Sequence, residues 1–283
     1  MVKDSVSMSG GETVARAFVE ARRAAAPLGS YPGERPTSLA AAYAVQDHAI
    51  GLHGGAVVGW KVGRVPAPYL EQLGVPRLAG PIFADQVRTA GGASTALPVI
   101  AGGFAAVEAE FLLRIGRTPA AGTTQLSLED AVALVDAVHV GFEIASSPYA
   151  GINADGPLVT ISDFGNHNAL VIGAAVPDWQ SRSFEDWTVS THVDGDCVGD
   201  ASARTMLDGP FGAIAFLVES LGARGRTLEP GQWISSGAVT GVHEVAVGAR
   251  AEARFGDLRV SGTTEAAARQ ESMSETKHGE RTG

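Results

Sequence analysis

Two glutamates stand two residues apart in the segment 106–113, which otherwise has the composition of a buried β-strand. Because side chains alternate along a strand, Glu108 and Glu110 would lie on one face, about 6–7 Å apart. Two like charges at that distance among apolar neighbours repel each other and resist desolvation unless a cation lies between them. Carboxylate oxygens suit a hard divalent ion such as Mg2+ or Mn2+. On this segment alone, the simpler alternative is an exposed strand edge whose acidic face is in contact with water.

A third carboxylate and a lysine occupy two further strand-like segments. Glu143 lies in the apolar run 137–144, and Lys61 lies in the run 57–63. If Glu143 joined the first two acids, the three would form a face able to hold one divalent ion, with room for water and substrate. A lysine with apolar neighbours either extends to the surface, meets a carboxylate or has a lowered pKa. Extension to the surface is the expectation from the sequence alone.

The composition is that of a globular chain with an acidic balance. The 283 residues are 45% hydrophobic and 18% charged, which is enough for a sizeable core. The formal net charge of -10 disfavours nucleic acid and anionic membranes as partners. No segment has the pattern of a signal peptide or a membrane-spanning helix, so we expect a cytoplasmic protein. The single cysteine, Cys197, excludes an intrachain disulfide and a thiolate metal cluster.

Hydrophobic periodicity predicts a helical N-terminal part followed by a mainly β remainder. Helices are expected over the segments 11–26, 37–52, 66–73, 127–138 and 210–221. Strands are expected over the segments 57–63, 106–113, 137–144, 170–174, 188–193, 233–234, 242–247, 249–255 and 258–260. From Thr263 onward the pattern becomes a polar tail that we expect to be disordered.

Other polar motifs allow more than one interpretation. The seven histidines show no metal-ligand spacing, and His139, within a strand, is expected to be a hydrogen-bonded core residue. His167 lies in the polar segment 163–168 before a strand, where functional residues often collect. The segment 236–241 carries two hydroxyls on a glycine-flanked turn, whose backbone N–H groups can bind a small carboxylate. A plain β-turn is the simpler alternative for that segment.

Taken together, these motifs resemble the fumarylacetoacetate hydrolase superfamily. The resemblance rests on the segment 59–63 around Lys61, the Glu108 and Glu110 pair, Glu143 and the segment 236–241, in that order along the chain. The better match is to the branch of 2-keto-4-pentenoate hydratases and 4-oxalocrotonate decarboxylases. It implies an α+β fold, mainly β: a β-roll or barrel with outer helices. The implied organisation is an N-terminal helical cap (1–55), a catalytic domain (56–262) and a disordered tail (263–283).

The resemblance also implies roles for individual residues. Glu108, Glu110 and Glu143 would hold Mg2+ or Mn2+, to which the C1 carboxylate and C2 oxygen of a 2-oxo or 2-hydroxydienoate acid would bind. Lys61 and Asp163 would be catalytic, Lys61 as a proton shuttle if its pKa falls toward neutrality. Substrate binding would involve Asn166, His167, Ser236 and Thr240. The branch usually has serines where this chain has Asn166 and His167, which leaves the identity of the substrate open.

The first function implied is that of a hydratase in aromatic catabolism. It would add water to a 2-hydroxy-2,4-dienoate of the 2-keto-4-pentenoate type and give a 4-hydroxy-2-oxo acid. The alternatives are decarboxylation of 2-oxo-3-hexenedioate, which is 4-oxalocrotonate, and a non-catalytic role as partner or scaffold of such an enzyme. A pure scaffold has no physical need for buried charges, which argues against the last. The resemblance further implies a homo-oligomer and association with a pathway partner enzyme.

Overall fold

The computed structural model describes residues 10–91 and 95–270. The α-helices in these residues are α1 (Gly10–Ala24), α2 (Leu39–His53), α3 (Ala67–Leu73), α4 (Leu128–Ala133), α5 (Pro157–Ser162) and α6 (Gly212–Gly222). The strands are β1 (Val57–Arg64), β2 (Arg77–Phe83), β3 (Val87–Thr89), β4 (Thr95–Val99), β5 (Phe104–Ile115), β6 (Val135–Ser147), β7 (His167–Ala175), β8 (Val189–Val193), β9 (Asp196–Ala201), β10 (Trp233–Ser235), β11 (His243–Glu244), β12 (Arg250–Phe255) and β13 (Leu258–Ala266).

The strands form two sheets. The larger has eight strands in the order β2-β1-β10-β5-β6-β7-β3, with β11 paired to β5, and it curls into a half-barrel. The smaller has the order β4-β13-β12-β8-β9. With sheets in the centre and few helices, the α+β, mainly β class predicted from the sequence is confirmed. None of the helices in the described part of the chain is long and apolar enough to cross a membrane.

The two longest strands form the centre of the larger sheet. β5 has 12 residues and β6 has 13, and they pair in antiparallel register with Glu108 opposite Glu143. Almost every residue of both strands is buried, because β5 lies between β10 and β6, and β6 lies between β5 and β7. β1 pairs with β10, so Lys61 is brought to the same region of the sheet as the glutamates.

The N-terminal helices share a hydrophobic core with the sheets. Phe18 of α1 and Val45 of α2 belong to the same buried cluster as Trp60 and Phe111 of the larger sheet. The Ser38 hydroxyl accepts a hydrogen bond from the Ala41 N–H and thereby caps the start of α2. The predicted helical cap therefore shares its core with the sheets. The boundary at residue 55 between the cap and the catalytic domain stays a prediction.

Three predicted elements are corrected by the structure. The helix predicted over 127–138 ends at Ala133, because the residues from Val135 onward pair with β5 as the start of β6. The strand predicted over 242–247 is reduced to β11, which meets only the end of β5. The disordered tail predicted from Thr263 is wrong for 263–266, which complete β13 and pair with β4. The remainder of that predicted tail, over 271–283, lies outside the described residues.

Candidate metal centre

Glu108, Glu110 and Glu143 form a cluster inside the larger sheet. Alternation along β5 puts the first two on one face, and the register of β5 with β6 puts Glu143 directly beside Glu108. One carboxylate oxygen from each lies within 4.8 Å of the others. Glu108 is 5% exposed, and the other two are fully buried. The solvated strand edge considered from the sequence is therefore excluded, because β5 is an inner strand.

The hydrogen bonds of Glu110 leave one of its two carboxylate oxygens free for a ligand. Glu110 Oε2 accepts hydrogen bonds from the Ser235 hydroxyl and the Gly237 N–H. Glu110 Oε1 is buried and has no hydrogen-bond partner among the described residues. A buried carboxylate oxygen without a partner is costly, and an all-oxygen set of donors is what Mg2+ and Mn2+ prefer. The residues present therefore fit one hard divalent cation.

The pKa values of the acids show how unfavourable the cluster is without a cation. Burial, with the charge of Glu143, raises the pKa of Glu108 to about 7. Burial, with the charges of Glu143 and Glu108, raises the pKa of Glu110 well above its ordinary value. Burial also acts to raise the pKa of Glu143, but Lys61 and His167 outweigh it, and the net shift is downward. Of the three acids, only Glu143 is thus already paired with positive charge and a hydrogen-bond donor.

Lys61 is buried and paired, so the expectation that it extends to the surface is wrong. It is 3% exposed, and its Nζ lies 3.0 Å from Glu143 Oε2. The Nζ also donates to the Gly165 carbonyl and to Asn166 Oδ1, each at 3.0 Å. These three contacts hold the side chain at the base of a cavity, so it does not extend to the protein surface.

The pKa of Lys61 is raised in the metal-free protein, which is the opposite of the lowered pKa that the sequence left open as an alternative. Burial acts to lower this pKa, but Glu143, Glu108 and Glu110 together outweigh burial. Lys61 is therefore an ammonium group held by three acceptors.

A strained turn supplies two of those acceptors. Phe164, Gly165 and Asn166 all have positive φ angles, of 54°, 63° and 60°. The turn packs tightly against β2, where a Cβ added to Gly80 would lie 1.9 Å from the Phe164 carbonyl oxygen. Non-glycine residues adopt this backbone region at a cost, and such strain is often found at functional sites. Here the strained backbone places the Gly165 carbonyl and the Asn166 side chain on the Lys61 ammonium.

A cavity of about 560 Å3 opens over the cluster. Of the residues predicted for the site, those that line it are Lys61, Glu108, Asn166, Ser236 and Thr240. The Ser236 hydroxyl donates to the Phe111 carbonyl, and the Thr240 hydroxyl shares a 2.7 Å hydrogen bond with Thr191. The two hydroxyls on the turn are thus already bonded to protein.

Four predicted site residues do not line the cavity: Glu110 and Glu143 lie in the cluster beneath it, and Asp163 and His167 lie outside the cluster. Asp163 is buried and forms a two-point ion pair with Arg22, whose Nε and Nη2 lie 2.6 and 2.8 Å from its oxygens. His167 Nδ1 lies 3.1 Å from Glu143 Oε1, and burial lowers the pKa of His167. His167 therefore contacts Glu143 without lining the cavity, whereas Asp163 belongs to a buried ion pair with Arg22. His139 bonds the Gly173 carbonyl at 2.9 Å, in line with the core role expected for it.

Sequence reasoning missed several residues around the cavity. Ser235 precedes the predicted turn by one residue and bonds Glu110. Asn153 accepts a hydrogen bond from Asn166 Nδ2 at 3.0 Å and lines the cavity. Arg64 and Arg77 also line it. The position of Ser235, next to the turn motif at the end of a strand, was the one available signal, because the other contacts depend on how distant segments pair.

A buried carboxylate cluster beneath a cavity, on a curled, mainly β sheet, is an arrangement that can hold a divalent cation next to a small ligand. The sequence matches the fumarylacetoacetate (FAA) hydrolase C-terminal family over residues 44–278. The chain therefore belongs to this family, whose superfamily consists of metal-dependent enzymes, among them decarboxylases, hydrolases and isomerases. The resemblance found in the sequence is confirmed.

Solved structures of the superfamily share the fold. A 4-oxalocrotonate decarboxylase from Pseudomonas putida G7, complexed with magnesium and adipate, is 20% identical with a TM-score of 0.75, over 91% of this chain and 99% of that one. A fumarylpyruvate hydrolase from Pseudomonas aeruginosa, in complex with Mn2+ and pyruvate, is 22% identical with a TM-score of 0.52. The match covers 74% of this chain and 89% of that one. A 5-carboxymethyl-2-hydroxymuconate delta-isomerase from Mycobacterium smegmatis is 15% identical with a TM-score of 0.52. The match covers 76% of this chain and 82% of that one.

Proposed function

We propose that this protein is a divalent-metal-dependent lyase acting on short unsaturated 2-oxo acids, with Glu108, Glu110 and Glu143 as the metal ligands. The observation that carries the proposal is the buried triad with its unpartnered Glu110 oxygen, next to the Lys61 ammonium at the base of a cavity. When bound, Mg2+ or Mn2+ supplies a Lewis acid that stabilises negative charge on the C2 oxygen of a 2-oxo acid.

The chain's own residues fix the charges around that reaction centre. In the metal-free protein Lys61 is an ammonium, because the three glutamates raise its pKa, and an ammonium can stabilise a developing negative charge or donate a proton. Asn166 is held by the Asn153 side chain through Nδ2, which keeps its Oδ1 on the Lys61 Nζ. Ser235 and the Gly237 N–H orient Glu110 so that its second oxygen is free.

Two lyase reactions fit this site. In the hydration predicted first from the sequence, the dienol becomes an α,β-unsaturated ketone and water adds at its far carbon. In the decarboxylation of 2-oxo-3-hexenedioate, the bond to the distal carboxylate breaks, its electron pair enters the dienolate, and carbon dioxide leaves. The likeness to the 4-oxalocrotonate decarboxylase over nearly the whole of both chains supports decarboxylation as the stronger candidate.

The test is to mix the metal-stripped protein separately with 2-hydroxypenta-2,4-dienoate and with 2-oxo-3-hexenedioate, and then to add Mg2+. Ultraviolet absorption and NMR follow the substrates and products, and carbon dioxide release is measured in parallel. Carbon dioxide from the diacid identifies a decarboxylase, whereas 4-hydroxy-2-oxopentanoate from the dienoate identifies a hydratase. A protein that binds Mg2+ but converts neither compound would contradict the proposal.

A matched pair of variants ties the activity to the cluster. Glu108→Ala should abolish Mg2+ binding and turnover while circular dichroism shows the fold retained. Glu129→Ala removes an exposed glutamate of α4, outside the cavity, and should keep both properties. Wild-type turnover in Glu108→Ala would contradict the assignment of the ligands. The homo-oligomer, the pathway partner enzyme and the cytoplasmic location predicted from the sequence stay predictions.

A further inference from the structure

Two arginines face each other across neighbouring strands at the cavity. Arg64 is the last residue of β1 and Arg77 is the first residue of β2, and the register of the two strands makes them direct partners. Like charges directly opposite one another in an antiparallel pair are destabilising. A negative charge nearby would therefore stabilise this arrangement.

The protein supplies that negative charge to only one of the two arginines. Arg77 Nη2 lies 3.4 Å from Asp208 Oδ2, and the same nitrogen donates to the Leu207 carbonyl. Arg64 has no hydrogen bond and no ion pair with any of the residues that the structure describes, and its side chain is exposed. The Asp208 carboxylate is thus paired with Arg77, and the positive charge of Arg64 at the cavity wall has no counter-charge among the described residues.

The position of Arg64 fits the length of a short diacid whose other end is at the metal centre. Arg64 follows Lys61 by three residues along β1, which corresponds to about 10 Å between their Cα atoms. Alternation along the strand turns the two side chains to opposite faces, but Arg64 is the last residue of β1 and both residues line the cavity at which the strand ends. A six-carbon diacid in an extended conformation has five carbon–carbon bonds of about 1.5 Å each and spans about 6 Å between its carboxyl carbons. The long, mobile arginine side chain can bridge the remaining few ångströms. Lys61, Glu108 and Arg64 line the same cavity.

We propose that Arg64 is a specificity-determining residue, which binds the distal carboxylate of a 2-oxo diacid and makes this enzyme select diacids over monoacids. The proposal rests on the proposed function for the binding of the 2-oxo acid end. It holds for a decarboxylase and for a hydratase, because both can act on a diacid. If the carboxylate bound by Arg64 is the one that leaves, its charge disappears in the transition state. The contact is then made in the ground state and lost in the transition state, so Arg64 tightens substrate binding at some cost to the rate of the chemical step.

Calorimetry with two unreactive ligands tests this inference on the Mg2+-loaded protein. The ligands are 2-oxoadipate and 2-oxohexanoate, which have the same chain length and 2-oxo acid end but differ in the distal carboxylate. We expect 2-oxoadipate to bind roughly three- to tenfold more tightly, as suits one partly exposed, charge-assisted contact. In Arg64→Gln this preference should fall to about one, with the affinity for 2-oxohexanoate unchanged, and Arg64→Lys should restore part of it.

Arg259→Gln provides the matched control, because it removes the same charge from an exposed arginine of β13 that does not line the cavity. It should keep the wild-type preference. Equal binding of both ligands to the wild type, or a preference that survives Arg64→Gln, would overturn the inference and leave the proposed function intact. If the protein binds Mg2+ but neither 2-oxo acid, the proposed function itself fails, and the role of Arg64 fails with it.

Discussion

The acids of the metal centre predict a strong pH dependence of metal binding. Glu108 has a pKa of about 7 in the metal-free protein, so one pH unit below that value only about one molecule in eleven has this carboxylate ionised. A metal ion binds the ionised form, so the protonation of Glu108 alone should lower the Mg2+ affinity about tenfold for each pH unit below 7. The pKa of Glu110 is also raised, by burial and by the charges of Glu143 and Glu108, so any proton that it releases on binding should make this fall steeper.

The number of protons released gives the sharper test. At pH 6 about nine-tenths of a proton per Mg2+ should come from Glu108, and Glu110, whose pKa is also raised, should add to that count. At pH 8 Glu108 is mostly ionised, so its share should fall to about one-tenth of a proton. Glu143 should add nothing at either pH, because its pKa is lowered and it is ionised throughout. Calorimetric titrations in buffers of different protonation enthalpy count these protons directly.

One variant makes the assignment of the protons specific. Glu110→Gln keeps the shape of the side chain and removes one titrating group, so the part of the count that comes from Glu110 should disappear while Mg2+ binds more weakly. If the wild type released no protons at pH 6, or bound Mg2+ equally well at pH 6 and pH 8, burial would not be raising these pKa values. The electrostatic argument for the site would then be refuted.

Three further predictions concern the surroundings of the site. Ser235→Ala removes the hydroxyl that orients Glu110 and should weaken Mg2+ binding about 10- to 100-fold in calorimetry, whereas Ser236→Ala, one residue on, should change it little. Asp163→Asn breaks a buried ion pair with Arg22 and should lower the free energy of unfolding in urea by about 3–5 kcal/mol; a loss of turnover with unchanged stability would instead favour the catalytic role predicted for Asp163. Gly80→Ala should force the strained turn away from β2 and destabilise the protein by about 1–3 kcal/mol, whereas Gly51→Ala, in an open position on α2, should be neutral or stabilising in the same thermal and urea measurements.

Much of the metal centre could be predicted because it depends on local geometry. Glu108 and Glu110 share a face because a strand repeats every two residues, and this holds wherever the strand lies. Glu143 could be suspected because an acid inside an apolar strand is costly without a partner. The helices α1, α2 and α6 were visible in the spacing of their apolar residues, which follows from the helical repeat.

The elements that were mispredicted are those in which tertiary pairing outweighs local preference. Residues 135–138 have helical spacing when considered alone, but they become strand because β5 offers them a partner. Residues 263–266 look like a polar tail, yet they complete β13 because β4 pairs with them and Thr264 turns into the core. Backbone hydrogen bonds to a distant strand leave little trace in the polarity of a short segment.

The sequence by itself determined which acids share a strand face, the presence of a costly lysine between apolar neighbours, and the family to which the chain belongs. Only the tertiary structure decided that Lys61 meets Glu143, that Asp163 pairs with Arg22 away from the cavity, and that Arg64 lies at the cavity wall with no partner among the described residues. The physical reason is the distance along the chain over which each feature is fixed. Side-chain alternation is fixed by the backbone within a few residues, whereas the partner of a charge is fixed by the register of strands that are far apart in the chain.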